Sequence, residues 1–336
     1  MPLLPAKRDL AVRALDATGL NRLLSRLGTW HGLLVLNYHR IGTPGRSPFD
    51  RDLWSAAADE FDRQLAHLKE HFDLVGLDDL GDVLHRRSGR HVMLTFDDGY
   101  RDNYEIAFPV LRRHAATATV FLATGFLDRP RVPWWDEIAW MVRTSRREGL
   151  NANVWTILPV EFDPPDRALA IRRLLATFKQ LRGHETPAFL EFLGEAAGSG
   201  RCPTEHAADL WMTWDMVREM RRAGTTFGGH TVNHPVLASL PADEQDREIA
   251  GCKARLAAEL REPVVAFSYP VGKAGAYDET TQRCLRARGF RWAFGYAGGY
   301  IRPSCYDRYA LPRVAVETTI RRADLRALTA LPQLFA

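Results

Sequence analysis

Two stretches of this 336-residue chain hold residues whose types and spacing can do chemistry. In Thr95-Phe96-Asp97-Asp98-Gly99-Tyr100 two adjacent carboxylates close an apolar run. Neighbouring strand side chains point to opposite faces, so the two are not expected to share one task. If one carboxylate binds a divalent metal, the other is left to take a proton from water, and Gly99 permits a tight turn or close backbone approach. The second stretch is His230-Thr231-Val232-Asn233-His234, with two histidines four apart. On a helical turn, positions i and i+4 face the same way, so both imidazoles reach one ion. One aspartate and two histidines make three protein ligands with positions left for water, the arrangement of a catalytic zinc-type site and not of a closed structural one. A metal there would lower the pKa of its water towards about 7 and polarise a carbonyl, which is hydrolytic chemistry.

These groups need elements that bring them together. The apolar run Gly32 to Tyr38 reads as a buried strand that leaves His39 at its C-terminal end. Helical spacing follows over 56–71 and 78–85, then the strand His91 to Phe96 delivers Asp97 and Asp98. A helix over 103–114 and a strand over 118–122 continue the alternation of a parallel sheet or α/β barrel. From 128 to 203 the rhythm turns helical, over 135–147, 166–181 and 186–197, which reads as an insertion on the barrel. Thr213 is an N-cap for a helix over 214–223, and a strand over 225–229 then delivers His230. Further strands are expected over 264–268, 291–294 and 313–316, with helices over 242–260 and 278–287. His39, Asp97, Asp98, His230, Pro270 and Arg313 all fall at strand ends, and the C-terminal ends of barrel strands are where active sites form. The expected division is a helical extension over 1–30, a barrel over 31–320 with an insertion at about 128–210, and a helical tail over 321–336.

Composition narrows the class. With 46% hydrophobic and 26% charged residues the chain is globular, neither disordered nor fibrous. The net charge of +4 is spread along the chain and leaves no nucleic-acid footprint. Pairs such as Arg112-Arg113 and Arg221-Arg222 read as solvated helix faces, and the basic balance favours an anionic membrane surface or an acidic glycan. Four distant cysteines form no Cys-x-x-Cys motif and read as thiols of a reducing compartment. Charged residues from Lys7 to Arg26 interrupt any secretory apolar region, so a cytoplasmic location is expected. Leu10, Val12, Leu15, Leu20, Leu23, Leu24 and Leu27 offer an apolar face that docks on the core or lies at the inner face of a membrane.

The Asp-Asp and His-x-x-x-His motifs, with the alternation around them, resemble the polysaccharide deacetylases with a NodB-homology domain, carbohydrate esterase family four. The likeness runs from about Leu33 to Val316. It implies a distorted (β/α) barrel, Asp97 as catalytic base, and Asp98, His230 and His234 as ligands of a divalent metal, zinc first, with cobalt, nickel and iron also suited. The family's Arg-x-Pro-Tyr-Gly motif is here Ser268-Tyr269-Pro270-Val271-Gly272. Ser268 stands in place of the arginine that orients the base, so Arg313 is expected to supply the charge. The Val271 N–H takes the oxyanion role, which needs no side chain. The family's late acid histidine is absent, since no histidine follows His234. His39 resembles the upstream acid of the poly-N-acetylglucosamine deacetylase subgroup. Trp134, Trp135, Asp136, Tyr100 and Pro270 are the expected substrate contacts. The implied reaction removes acetyl groups from N-acetylhexosamine residues of a glycan or a lipid-linked glycan precursor. The rivals are hydrolysis of another non-peptide C–N bond and a non-catalytic glycan-binding relative. A haloacid-dehalogenase-like phosphatase is excluded, because that chemistry needs Asp-x-Asp.

Overall fold

Short apolar runs ended by Gly, Pro or Asp form the parallel strands of one sheet, because such runs bury both faces between a barrel interior and surrounding helices. The computed structural model describes residues 11–15, 17–20, 24, 28–86, 88–165, 167–303 and 305–336. The strands of its main sheet are β1 (Gly32–Tyr38), β2 (Asp73–Val75), β3 (Arg90–Asp98), β4 (Thr119–Leu122), β5 (Thr226–Gly229), β6 (Ala266–Ser268), β7 (Trp292–Gly295), β8 (Leu311–Pro312) and β9 (Val314–Ala315). They lie in the order β8-β7-β6-β5-β4-β3-β1-β9, with β2 paired to the first half of β3. The two ends of this path, β8 and β9, are separated in sequence by Arg313 alone. One pairs with β7 and the other with β1, so the sheet bends into a nearly closed barrel whose seam is spanned by one residue. The expected strand over 313–316 is thus two edge strands, and β2 was not foreseen.

Alternation sorts the strand residues into two cores. Val35, Met93, Phe121, Ala266, Phe294 and Leu311 cluster inside the barrel. Leu34, Leu36, Val92, Leu94, Val120 and Leu122 face outward with the helix residues Phe61, Leu65, Ile249 and Leu256. Gly228 faces Phe121, and a Cβ at that position would stand 2.5 Å from the ring, so the inward position on β5 has room only for glycine.

The helices that matter to the site are α1 (Ala58–His71), α2 (Leu80–His85), α3 (Phe108–Arg113), α4 (Thr124–Asp128), α5 (Trp134–Thr144), α6 (Ala168–Phe178), α7 (Thr186–Ala197), α8 (Trp214–Arg222) and α9 (Ala242–Leu260). The expected helix over 103–114 opens instead with a π-turn over Asn103–Ala107. Thr213 caps α8 as expected, its hydroxyl accepting from the Met216 N–H. α5 to α7 form a separate apolar cluster that meets the barrel at Phe126, Trp135 and Trp211. Of the apolar face expected near the N-terminus, Leu10, Leu23 and Leu27 lie outside the described residues. Val12 is buried against the barrel core and Leu20 is exposed. Among the described residues no helix is long and apolar enough to cross a membrane.

Candidate active site

Because all paired strands of the barrel are parallel, their C-terminal ends open on one face, and the site is built there. Asp97 obeys the alternation of β3 and points into the barrel above Phe121. Asp98 would point outward by the same rule. Its φ of 75° turns it back, a left-handed conformation that Asp tolerates better than most residues. Gly99 follows at φ 90°, where a Cβ would meet Leu122 at 2.7 Å. Two adjacent carboxylates therefore reach one cleft from different directions.

His230 and His234 reach Asp98 by a loop and not by the expected helical turn. Thr231 and His234 both have left-handed φ, 68° and 56°. For a β-branched residue such as Thr231 this is a strained conformation, of the kind that gathers at functional sites. The strain is held from two sides. The Thr231 hydroxyl accepts from the His234 N–H at 2.9 Å, and Glu248 on α9 accepts from the N–H groups of Val232 and Asn233 at 2.9 and 2.8 Å. The outcome places His230 Nε2 3.4 Å and His234 Nε2 3.3 Å from the same Asp98 oxygen.

This donor set fits a divalent metal. Asp98, His230 and His234 are all buried, and one ligand atom from each lies within 4.8 Å of the others. The Asp98 oxygen between the two rings has no hydrogen-bond partner. His230 donates Nδ1–H to the Ser268 carbonyl at 2.7 Å, which leaves the Nε2 lone pair facing the gap. Burial pulls His234 down to about 3, so its ring is neutral and able to ligate. Burial acts in the same sense on His230, but the charges of Asp97 and Asp98 outweigh it and raise that ring.

Asp97 has a different environment. Arg313, at the seam, is fully buried and grips both carboxylate oxygens at 2.8 Å. Its fork also donates to Ser268 Oγ at 2.7 Å and to Asn37 Oδ1 at 2.5 Å. Ser268 Oγ donates in turn to Asp97 at 3.1 Å. Burial would raise the Asp97 carboxyl, but Arg313 and then His230 outweigh it and hold it well below the ordinary carboxylate range. The expected partnership of Asp97 and Arg313 is present in the geometry, and Ser268 makes room for the guanidinium.

His39 lines the cleft, held by its N–H to Ser55 Oγ at 2.9 Å and by Asn103 of the π-turn on its carbonyl at 2.6 Å. Between His39 and Asp97 stands Tyr296, whose hydroxyl lies 3.4 Å from His39 Nε2 and 3.3 Å from Asp97 Oδ2. Its ring covers the Arg313 guanidinium at 4.6 Å. Burial, then Asp97, raises the Tyr296 phenol well above its usual value, so it remains a donor. Sequence reading missed Tyr296 and Asn37. Tyr296 directly follows β7, the same position relative to a strand that drew attention to His39, and Asn37 is the polar residue of an otherwise apolar strand.

Val271 lines the cleft at φ 63°, a left-handed β-branched residue. Its N–H has no acceptor among the described residues. Trp134 and Trp135 also line the cleft, which encloses about 220 Å³. Trp135 packs edge-on to His234 at 4.4 Å, and Trp134 donates to the His234 carbonyl at 3.2 Å.

Three expected substrate contacts are corrected. Tyr100, Asp136 and Pro270 are buried and line no part of the cleft. Asp136 instead accepts from the Tyr100 hydroxyl at 2.9 Å and the Asp50 N–H at 3.0 Å, tying α5 to the barrel loops. Burial, opposed by Arg40, pushes its carboxyl up to about 7.

Comparison with known proteins agrees with this architecture. The family model described as polysaccharide deacetylase matches residues 85–150 and 171–293. A Bacillus subtilis (strain 168) protein named as a polysaccharide deacetylase, YxkH, is 22% identical over 233 residues, which are 68% of this chain and 52% of that protein. The chain therefore spans about half the length of that curated relative. Among solved structures, the Streptococcus pyogenes deacetylase PplD in complex with acetate is 19% identical with a TM-score of 0.58, over 90% of this chain and 98% of that one. IcaB from Ammonifex degensii is 21% identical with a TM-score of 0.57, over the same shares. These two likenesses establish the shared barrel fold. The family match, which takes in more than half of the chain and carries both the Asp97-Asp98 and His230–His234 motifs, makes this chain a member of the polysaccharide deacetylase family.

Proposed function

We propose that this protein hydrolyses the N-acetyl group of N-acetylhexosamine residues in a polysaccharide or its precursor, releasing acetate and a free amino sugar. The observation that carries the reading is the buried Asp98, His230 and His234 set beside a second aspartate clamped by Arg313. A divalent ion held by those three residues, zinc first among the metals they suit, would supply a Lewis acid and lower the pKa of water. Asp97, kept ionised by Arg313, takes the proton from the attacking water. The free Val271 N–H donates to the oxyanion as it develops on the acetyl carbonyl. His39 delivers a proton to the departing amine, with Tyr296 fixing its distance from Asp97. Trp134 and Trp135 offer faces to the sugar ring.

The departures from the family pattern, Ser268 and the missing late histidine, favoured a non-catalytic relative. The Arg313 clamp on Asp97 and the position of His39 in the cleft wall support turnover. A screen for acetate release over chain-length-defined N-acetylated glycans, with zinc, cobalt, nickel and iron in turn, tests the reading. Glycan binding without acetate from any of them would favour the non-catalytic alternative, and release only from other amides would favour the second rival. The finer form of the proposal places the reaction on a lipid-linked precursor at the inner membrane face, supported by the basic, leucine-bearing first thirty residues. Recovery of the active protein only outside the cytoplasm would contradict it.

A further inference from the structure

Beyond Val271 the cleft opens into a second groove of about 940 Å³, and the two share Lys179, Val271 and Lys273. The groove is lined by Lys179, Lys273, Arg182 and His184 and by no carboxylate. The cleft's own carboxylates outside the metal set and Asp97, namely Asp50, Asp52 and Glu317, do not extend into it.

Some surface arginines of this chain are paired with carboxylates. Arg101 meets Glu105, Arg221 meets Glu262 and Arg255 meets Asp128, each within 2.8 Å. Lys179 and Lys273 are exposed, and among the described residues neither has an ion-pair partner. Lys179 ends α6 and sits 5.8 Å from the ring of Trp134, a wall of the cleft. Lys273 is two residues past Val271, so its backbone lies within about 7 Å of the N–H proposed to meet the oxyanion. Desolvation, and after it the charge of Lys273, pulls the Lys179 ammonium below its ordinary value against the opposing charge of Asp50, so the two like charges facing one space are only partly offset. Such a pair is relieved when an anion enters between its members.

We infer that this groove holds an anionic group of the substrate, a phosphate or a carboxylate, carried on the N-acetylated sugar or its immediate neighbour. The inference rests on the deacetylase reading for the identity of the sugar, and it names the substrate class as charged. A neutral N-acetylglucosamine polymer would leave Lys273 without a counter-charge at the cleft wall and Lys179 offset only by Asp50. An anionic substrate enters in one orientation, its charge towards Lys179 and Lys273 and away from Asp50, Asp52 and Glu317.

The test compares kcat/KM for acetate release from three substrates: the neutral N-acetylglucosamine tetramer, a tetramer alternating N-acetylglucosamine with glucuronate, and UDP-N-acetylglucosamine. The wild type is set against a Lys179→Gln/Lys273→Gln variant, whose two exposed positions do not endanger the fold. The expected result is a preference of about tenfold or more for one anionic substrate, which falls to near unity in the double variant and shrinks at high salt. The anionic substrate that is preferred identifies carboxylate or phosphate as the source. Equal kcat/KM on all three substrates, or a preference that survives the double substitution, overturns the inference while leaving the deacetylase reading intact. Release of no acetate from any substrate instead counts against the deacetylase reading. The groove is then read by titration with inorganic pyrophosphate: weaker binding to the double variant supports it, and equal binding overturns it.

Discussion

Asp97 and Asp98 are neighbours in the chain with opposite surroundings, and the difference supports the division of work proposed for them. Asp98 presents an unpartnered oxygen to two imidazoles, while both oxygens of Asp97 are taken by Arg313. Asp97→Asn is expected to abolish acetate release with metal content nearly intact, whereas His234→Ala loses the metal. Metal analysis of the two purified variants decides this, and equal loss in both would undo the division of roles. Arg313→Met leaves a buried carboxylate without its counter-ion, a loss of about 3–5 kcal/mol if the charge persists. The sign of the pH effect follows. Arg313 lowers the Asp97 pKa and burial raises it, so removing Arg313 moves the acid limb of kcat/KM to higher pH. An unmoved limb in a folded Arg313→Met protein would mean that another group is the base. The Asp pair was readable from sequence because it needs only adjacency. Tyr296 was not, because its role depends on three partners from distant segments.

Single elements carry the site in ways that adjacency does not show. The loop from His230 to His234 is not a helical turn, and its left-handed residues are held by Glu248, contributed by α9. Glu248→Ala frees that loop without touching a proposed ligand, and metal affinity is expected to fall about 10–100-fold, as when other outer supports are removed. Competition with a chromophoric chelator measures it, and unchanged affinity would show that the Thr231 hydroxyl suffices. On β5, Gly228→Ala drives a Cβ into Phe121, the residue beneath Arg313. Overpacking of this kind costs about 1–3 kcal/mol. A thermal melt should show it as a drop of about 1–4 °C, with kcat falling as Arg313 is displaced. A variant as stable and active as the wild type would show that the ring can move aside. Hydrophobic period and turn residues made most strands and helices readable. β2 escaped because its three residues follow α1 with only Phe72 between and no Gly or Pro to mark the break, and the π-turn at Asn103–Ala107 because its sequence is that of an ordinary helix.

At the scale of the whole molecule, one residue closes the barrel. β8 and β9 belong to opposite edges of the sheet, and Arg313 between them is carried to the centre of the site by closure itself. A metal that binds only the folded barrel stabilises it by linkage, by about 4 kcal/mol at a thousandfold excess over Kd. Stripping it with a chelator should therefore stop acetate release and lower Tm by about 6 °C, with both restored by adding a divalent ion. Activity that persists after stripping would place the chemistry elsewhere. What the chain order by itself determined were the alternation that makes a barrel and the two motifs that follow the runs at 91–96 and 225–229, since strand period and ligand type are local properties. The tertiary structure alone decided that Arg313 grips Asp97, that Tyr296 stands between Asp97 and His39, and that Asp136 and Tyr100 knit the insertion to the barrel instead of facing the cleft. The physical reason is that burial and charge pairing are made across the barrel, between residues as far apart as Asp97 and Arg313, and no local pattern records which inward side chain meets which.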